Sequence, residues 1–200
     1  EASMAHIDYV FSTRSPYTYL TGTRLEDVAA KHGATITYKP LDTMTLFTRT
    51  GGQAPKDRHP ARQAYRLVEM RRQAAQQDMA INLKPAHWPT NPAPSSYAII
   101  AAQKVGGGDL GALVQGILRS VWADQKDVAD DEVVADALEA AGFDRGLVNA
   151  GLLEGAEEYA ANLEEAVRRD VFGVPFFIVG DEPFWGQDRI SDLDHYLGTL

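Results

Sequence analysis

The chain has 200 residues, 44% hydrophobic and 24% charged, the composition of an ordinary globular protein that can bury roughly 70% of its unfolded surface. A net charge of −9 without a run of lysines or arginines argues against nucleic acid and anionic membranes, and no apolar run reaches the ~18 residues of a membrane span. The absence of cysteine excludes disulfides, thiolate metal sites and a protein thiol nucleophile, and it suits a reducing, cytoplasmic compartment. EASMA, residues 1–5, reads as a tag remnant with an internal start at Met4, not as a secretory leader. HIDYVFS, residues 6–12, is short and β-rich and predicts a buried strand. From Pro16 to His32 the apolar positions fall at helical spacing, which predicts one helix stopped by Gly33. ATITYKP, residues 34–40, is a second strand, and strand, helix and strand with short joints make a βαβ unit with parallel strands. Residues 60–169 are rich in Ala, Leu, Glu, Gln and Arg, with breaks at KPAHWPTNPAPSS, GGGD and AGFD. Five to seven helices and no strand are expected there. A strand at 176–179, a turn at Gly180-Asp181, a strand near Phe184-Trp185 and a helix from about 188 to 197 close the chain.

A βαβ half and a ββα half predict an α/β chain with a thioredoxin-like sheet. Residues 5–45 and 168–200 would form that domain, and residues 46–167 a large all-α insertion domain. A plain two-layer α/β protein fits the same pattern.

Five short stretches carry candidate chemistry. Ser15-Pro16 stands where the first strand turns into a helix; Ser is a favoured N-cap and Pro a favoured first helical residue, which explains the pair with no function. The same hydroxyl can donate to a bound thiolate or carboxylate and lower its pKa, at the strand end where α/β proteins bind ligands. In FGVPFF, residues 172–177, a proline enters a strand, which fits an edge strand or a cis Val174-Pro175 bond that turns the Val174 backbone toward a ligand. In WGQDR, Asp188 fits the N-cap of the last helix, while Gln187 and Asp188 together could clasp an ammonium-carboxylate head group. In RHPARQAYRLVEMRR, residues 58–72, Arg62 and Arg66 share one helix face and Tyr65 and Glu69 another; either a solvated helix or an arginine gripping a carboxylate is consistent. Trp88 and Asn91 in HWPTNP could line a pocket or serve the turn. The five histidines have no ligand spacing, so no metal is expected, and GGGDLG is a linker between helices.

Taken in order, YVFSTRSPYTYL, the P…R..Y…E..R pattern and FGVPFF…WGQDR resemble the 2-hydroxychromene-2-carboxylate isomerases, relatives of kappa-class glutathione transferases and DsbA-type oxidoreductases, over nearly the whole chain. The resemblance implies a thioredoxin domain with a helical insertion, a homodimer and glutathione as cofactor. Ser15 matches the serine that hydrogen-bonds the glutathione thiol. Val174 and Pro175 match the cis-proline segment that pairs with the cysteinyl part, and Gln187 and Asp188 the segment that holds the γ-glutamyl head. Arg62, a further candidate cofactor ligand, and Asn91 are expected at the substrate carboxylate and hydroxyls, and Tyr65 and Trp88 at its aromatic ring. Ser12, Arg62 and Gly52 depart from the family pattern, where an acid, a lysine and an asparagine are usual. The implied reaction is isomerisation of 2-hydroxychromene-2-carboxylate to trans-o-hydroxybenzylidenepyruvate, in aromatic catabolism, by reversible thiolate addition. A kappa-class-like glutathione transferase, and a non-catalytic thioredoxin-like binding module in which Ser15 is only a cap, are the alternatives.

Overall fold

Alternation along the first strand decides the layering. In the computed structural model, which describes residues 4–200, strand β1 (His6–Phe11) sends Ile7, Tyr9 and Phe11 to one side of a sheet and Val10 to the other. Residues 1–3 of the tag-like start lie outside the described residues. Strand β2 (Thr35–Pro40) runs parallel to β1, with Ile7 opposite Ile36 and Tyr9 opposite Tyr38. On the other flank β3 (Phe176–Val179) runs antiparallel, with Tyr9 opposite Phe177, and the hairpin partner β4 (Glu182–Trp185) forms the edge. The order β2-β1-β3-β4 is the thioredoxin-like sheet expected from the βαβ and ββα halves.

The first crossover differs from expectation. Instead of one helix there are two, α1 (Pro16–Tyr19) and α2 (Arg24–His32), parted by a turn in which Gly22 has φ +58°. That left-handed conformation costs a side-chain-bearing residue about 1–2 kcal/mol and ends the first helix after one turn. Gly33, at φ +65°, terminates α2 as its sequence position predicts.

Between the sheet halves lie α3 (Thr43–Thr50), α4 (Pro60–Gln76), α5 (Ala93–Val105), α6 (Leu110–Trp122), α7 (Asp131–Ala140) and α8 (Leu152–Arg168), and α9 (Ile190–Leu197) ends the chain. From Pro60 to Arg168 that makes five α-helices and no strand among the described residues. Asp42, Asp109 and Asp130 each accept a first-turn N–H, of α3, α6 and α7, which fixes where those helices start. The helices share the core of the sheet: Ile99 of α5, Leu113, Ile117 and Trp122 of α6, and Val134 and Leu138 of α7 pack with Ile7, Tyr9, Phe11 and Phe177. On the opposite face Val10, Phe176 and Ile178 lie under Leu46 of α3 and Ala166 of α8. The boundary expected at 45/46 therefore falls inside α3. No helix among the described residues is long and apolar enough to cross a membrane.

Candidate active site

At the carboxyl end of β1 the corner formed by Ser15 opens into a cavity of about 1130 Å³, walled by α1, α3, α4 and the segments before β3 and after β4. Ser15 has extended φ/ψ (−77°, 126°), and its Oγ accepts the Thr18 N–H at 3.2 Å, while Pro16 occupies the first helical position. A hydroxyl has one proton and two lone pairs. The capping bond uses a lone pair, so the proton is left to donate toward the cavity that Ser15 lines. The cap and the ligand contact are two uses of one atom.

The Val174-Pro175 bond is cis. Pro175 is buried behind the wall, where its carbonyl accepts the Gly186 N–H at 2.9 Å and draws the end of β4 over it. Val174 lines the cavity, and its pairing ends before the ladder: β1 meets β3 only from Phe176 onward. Its N–H and C=O make no hydrogen bond to another described residue.

Gln187 and Asp188 both line the cavity, with different freedom. Gln187 is only 4% exposed; its Nε2 donates to Gln73 Oε1 at 2.6 Å, and its Oε1 accepts from Arg24. Arg24 also donates to the Gln187 carbonyl at 3.1 Å. Asp188 is not the cap of the last helix, as its sequence position suggested. A 3-10 turn, Gln187–Arg189, intervenes, and α9 begins at Ile190 behind Arg189. The Asp188 carboxylate is 57% exposed, and its ion-pair partner is the distant Arg189, with Nε at 3.9 Å.

One stripe of α4 forms the facing wall: Arg62, Tyr65, Arg66, Glu69 and Gln73 all line the cavity. The two faces expected on this helix are thus a single broad face. Tyr17 Oη donates to Glu69 Oε2 at 2.8 Å, and Gln73 Nε2 donates to Glu69 Oε1 at 3.2 Å. The hydrogen bonds run on through Gln187 to Arg24, joining α1, α4 and the last turn across the cavity floor. Burial, reinforced by the Glu69 carboxylate, pushes the Tyr17 phenol far above its ordinary pKa, so it stays a donor. Tyr65 is 60% exposed at the rim. Trp88, also in the lining, donates from Nε1 to the Arg14 carbonyl at 2.9 Å and carries the Arg66 guanidinium 5.3 Å above its ring.

Asn91 is not brought into this group. It is exposed, lies outside the cavity lining, and its Oδ1 accepts the Ala93 N–H at the start of α5. Gly52 does line the cavity, and a Cβ there would sit 2.8 Å from Phe47 Cδ1. The asparagine expected at this position has no room unless Phe47 moves. Sequence reasoning overlooked Tyr17, Arg58 and Gln73. The spacing 62, 66, 69, 73 signals one helix stripe, but Tyr17 and Arg58 join it only through the packing of α1 and the loop before α4.

Two curated relatives, both 2-hydroxychromene-2-carboxylate isomerases, match nearly end to end. The one from Sphingobium xenophagum is 28% identical over 194 residues, 96% of this chain and 97% of its own. The one from Pseudomonas putida is 29% identical, over 97% of this chain and 95% of its own. A solved 2-hydroxychromene-2-carboxylate isomerase superposes with a TM-score of 0.79 at 27% identity, covering 98% of this chain and 95% of its own. The DsbA-like thioredoxin domain matches residues 6–198, and the chain belongs to that family.

Proposed function

We propose that this chain is a glutathione-dependent isomerase that converts 2-hydroxychromene-2-carboxylate to trans-o-hydroxybenzylidenepyruvate. The observation that carries it is the Ser15 hydroxyl, capping α1 with its lone pair and free to donate into a cavity beside the unpaired Val174 backbone. The likeness to isomerases over nearly the full length supports the same reaction. With no cysteine of its own, the chain needs a borrowed thiol for any thiol chemistry.

The residues fit glutathione. Val174 offers an N–H and a C=O to the cysteinyl backbone, in the manner of an added strand. Asp188 is free to meet the γ-glutamyl ammonium, and Gln187, held by Gln73 and Arg24, fixes the segment that carries it. Ser15 donates to the sulfur and so favours its ionised form. When bound, glutathione supplies a thiolate whose reversible addition to the conjugated double bond permits rotation about it. Arg62 on the α4 wall holds the substrate carboxylate, and Tyr65 and Trp88 flank the ring. Asn91, engaged at α5 outside the cavity, is left out of this assignment. Cytoplasmic location and a homodimer accompany the assignment; sedimentation of the purified chain tests the dimer.

The test is to mix the protein with 2-hydroxychromene-2-carboxylate and follow the ultraviolet spectrum with and without millimolar glutathione. Conversion only with glutathione, and without loss of free thiol, is expected. A stable conjugate would identify a transferase instead, and no conversion in either case would overturn the isomerase assignment.

A further inference from the structure

Five arginines line the cavity, Arg14, Arg58, Arg62, Arg66 and Arg189, against two carboxylates, Glu69 and Asp188, on a chain of net charge −9. Both Glu69 oxygens already accept hydrogen bonds, from Tyr17 and Gln73. Arg58, Arg62 and Arg66 form no ion pair with a described residue. Arg62 is exposed at the rim, but Arg58 and Arg66 are half-buried. Each sits over an aromatic ring: Arg58 Cζ lies 5.7 Å from the centroid of Phe47 and Arg66 Cζ 5.3 Å from that of Trp88. Arg58 Nε is further tied to the Gln53 carbonyl at 3.1 Å. Burial depresses the pKa of both guanidiniums, and each is lowered further by another arginine of the group. Two partly desolvated, mutually repelling cations are costly unless an anion completes the site. A stacked guanidinium keeps its N–H edge free, the geometry that grips a carboxylate with two parallel hydrogen bonds.

Glutathione brings two carboxylates and the substrate one, which answer to three of the five arginines and leave two cations over. Asp188 and Arg189 stand together at the head-group end, and Arg62 takes the substrate carboxylate. At about 1130 Å³ the cavity lies above the roughly 300–1,000 Å³ of common single-ligand sites, as a site for glutathione and a second ligand requires. We propose that Arg58 and Arg66 form a second anion site, and that the substrate this chain prefers is a doubly acidic one, an unsaturated oxo acid bearing a further carboxylate on its aromatic ring. This rests on the isomerase assignment for what is converted, but not for what is bound.

The test uses the full chain without glutathione. Benzoate and isophthalate are titrated while tryptophan fluorescence is followed, since Trp88 lies under Arg66. Isophthalate is expected to bind at least about tenfold more tightly than benzoate, the worth of one charge-assisted pair. Arg58→Gln and Arg66→Gln should each reduce that preference to about twofold or less, with Arg66→Lys intermediate because it keeps the charge and loses the stacked fork. If Arg66→Gln does not fold, Arg66→Lys and Arg58→Gln carry the comparison. Equal affinities in the unmodified chain overturn the proposal. So does a preference that survives both substitutions, or variants that weaken glutathione binding instead, which would assign the arginines to the cofactor's own carboxylate. Failure of the isomerase assignment appears separately, as absent conversion with the isophthalate preference intact.

Discussion

A serine at a strand-to-helix corner is commonly just a cap, yet at Ser15 the capping bond leaves the proton unused. The two roles separate in Ser15→Ala. That variant should lose about 1 kcal/mol of stability with the cap and retain glutathione, but lose most of the turnover. The ultraviolet absorbance of the bound thiolate checks the role directly; if it is unchanged in the variant, Ser15 does not tune the thiol. Glu26 is a second residue whose state matters. Its Oε1 accepts from the Tyr38 hydroxyl at 2.8 Å, its Oε2 is buried without a partner, and burial, more than the neighbouring Asp109 and Asp27, raises its pKa above the ordinary 4.5. The folded state then holds the proton more tightly than the unfolded one. Stability contributed by Glu26 falls as pH rises from 4.5 through the raised value. Glu26→Gln keeps an acceptor for Tyr38 and should flatten that slope, leaving the variant more stable near neutrality; urea unfolding across the range measures it.

At the scale of elements, the site depends on helices that meet only in the fold. The hydrogen-bonded series Tyr17–Glu69–Gln73–Gln187–Arg24 ties α1 and α2 to α4 and to the turn before α9. Gln73 is a positioning residue in it, since it fixes the Gln187 segment rather than the reacting atoms. Gln73→Leu leaves the buried Gln187 amide short of an acceptor, at a cost of roughly 1–3 kcal/mol. Its kinetic signature should be a raised KM for glutathione with kcat little changed. An equal fall in kcat at unchanged KM would mean that the series acts on the chemistry itself.

For the whole molecule, the sheet and the inserted helices share one core, so they are expected to unfold as one cooperative unit. Leu113 of α6 is fully buried in it. Leu113→Ala should cost about 2–5 kcal/mol, and far-ultraviolet circular dichroism and tryptophan fluorescence should still report coincident transitions. Separate transitions would show that the helices unfold on their own. The arginine-lined cavity on an acidic chain also predicts a salt effect. Raising ionic strength from about 0.05 to 0.5 M shortens the screening length severalfold, so KM for the anionic substrate should rise while kcat holds. A KM insensitive to salt would argue against electrostatic capture.

The residues by themselves determined what is local. Short β-rich runs marked β1 and β2, and the helical crossover between them made them parallel. Breaks at KPAHWPTNPAPSS, GGGD and AGFD divided the helical block, Gly180-Asp181 marked the final hairpin, and Ser15-Pro16 and Val174-Pro175 stood out because proline and a capping serine have few uses. Seven of the nine expected site residues line one cavity and an eighth, Pro175, backs it. The tertiary structure decided the rest. It split the first helix at Gly22, turned the arginine, tyrosine and glutamate positions of α4 onto one wall, freed Asp188 from capping, and set Asn91 aside. The physical reason is that periodicity reports which positions are covered, but not by what. The partners of Arg66, Tyr17 and Gln73 lie 22, 52 and 114 residues away in sequence, and only packing brings them together.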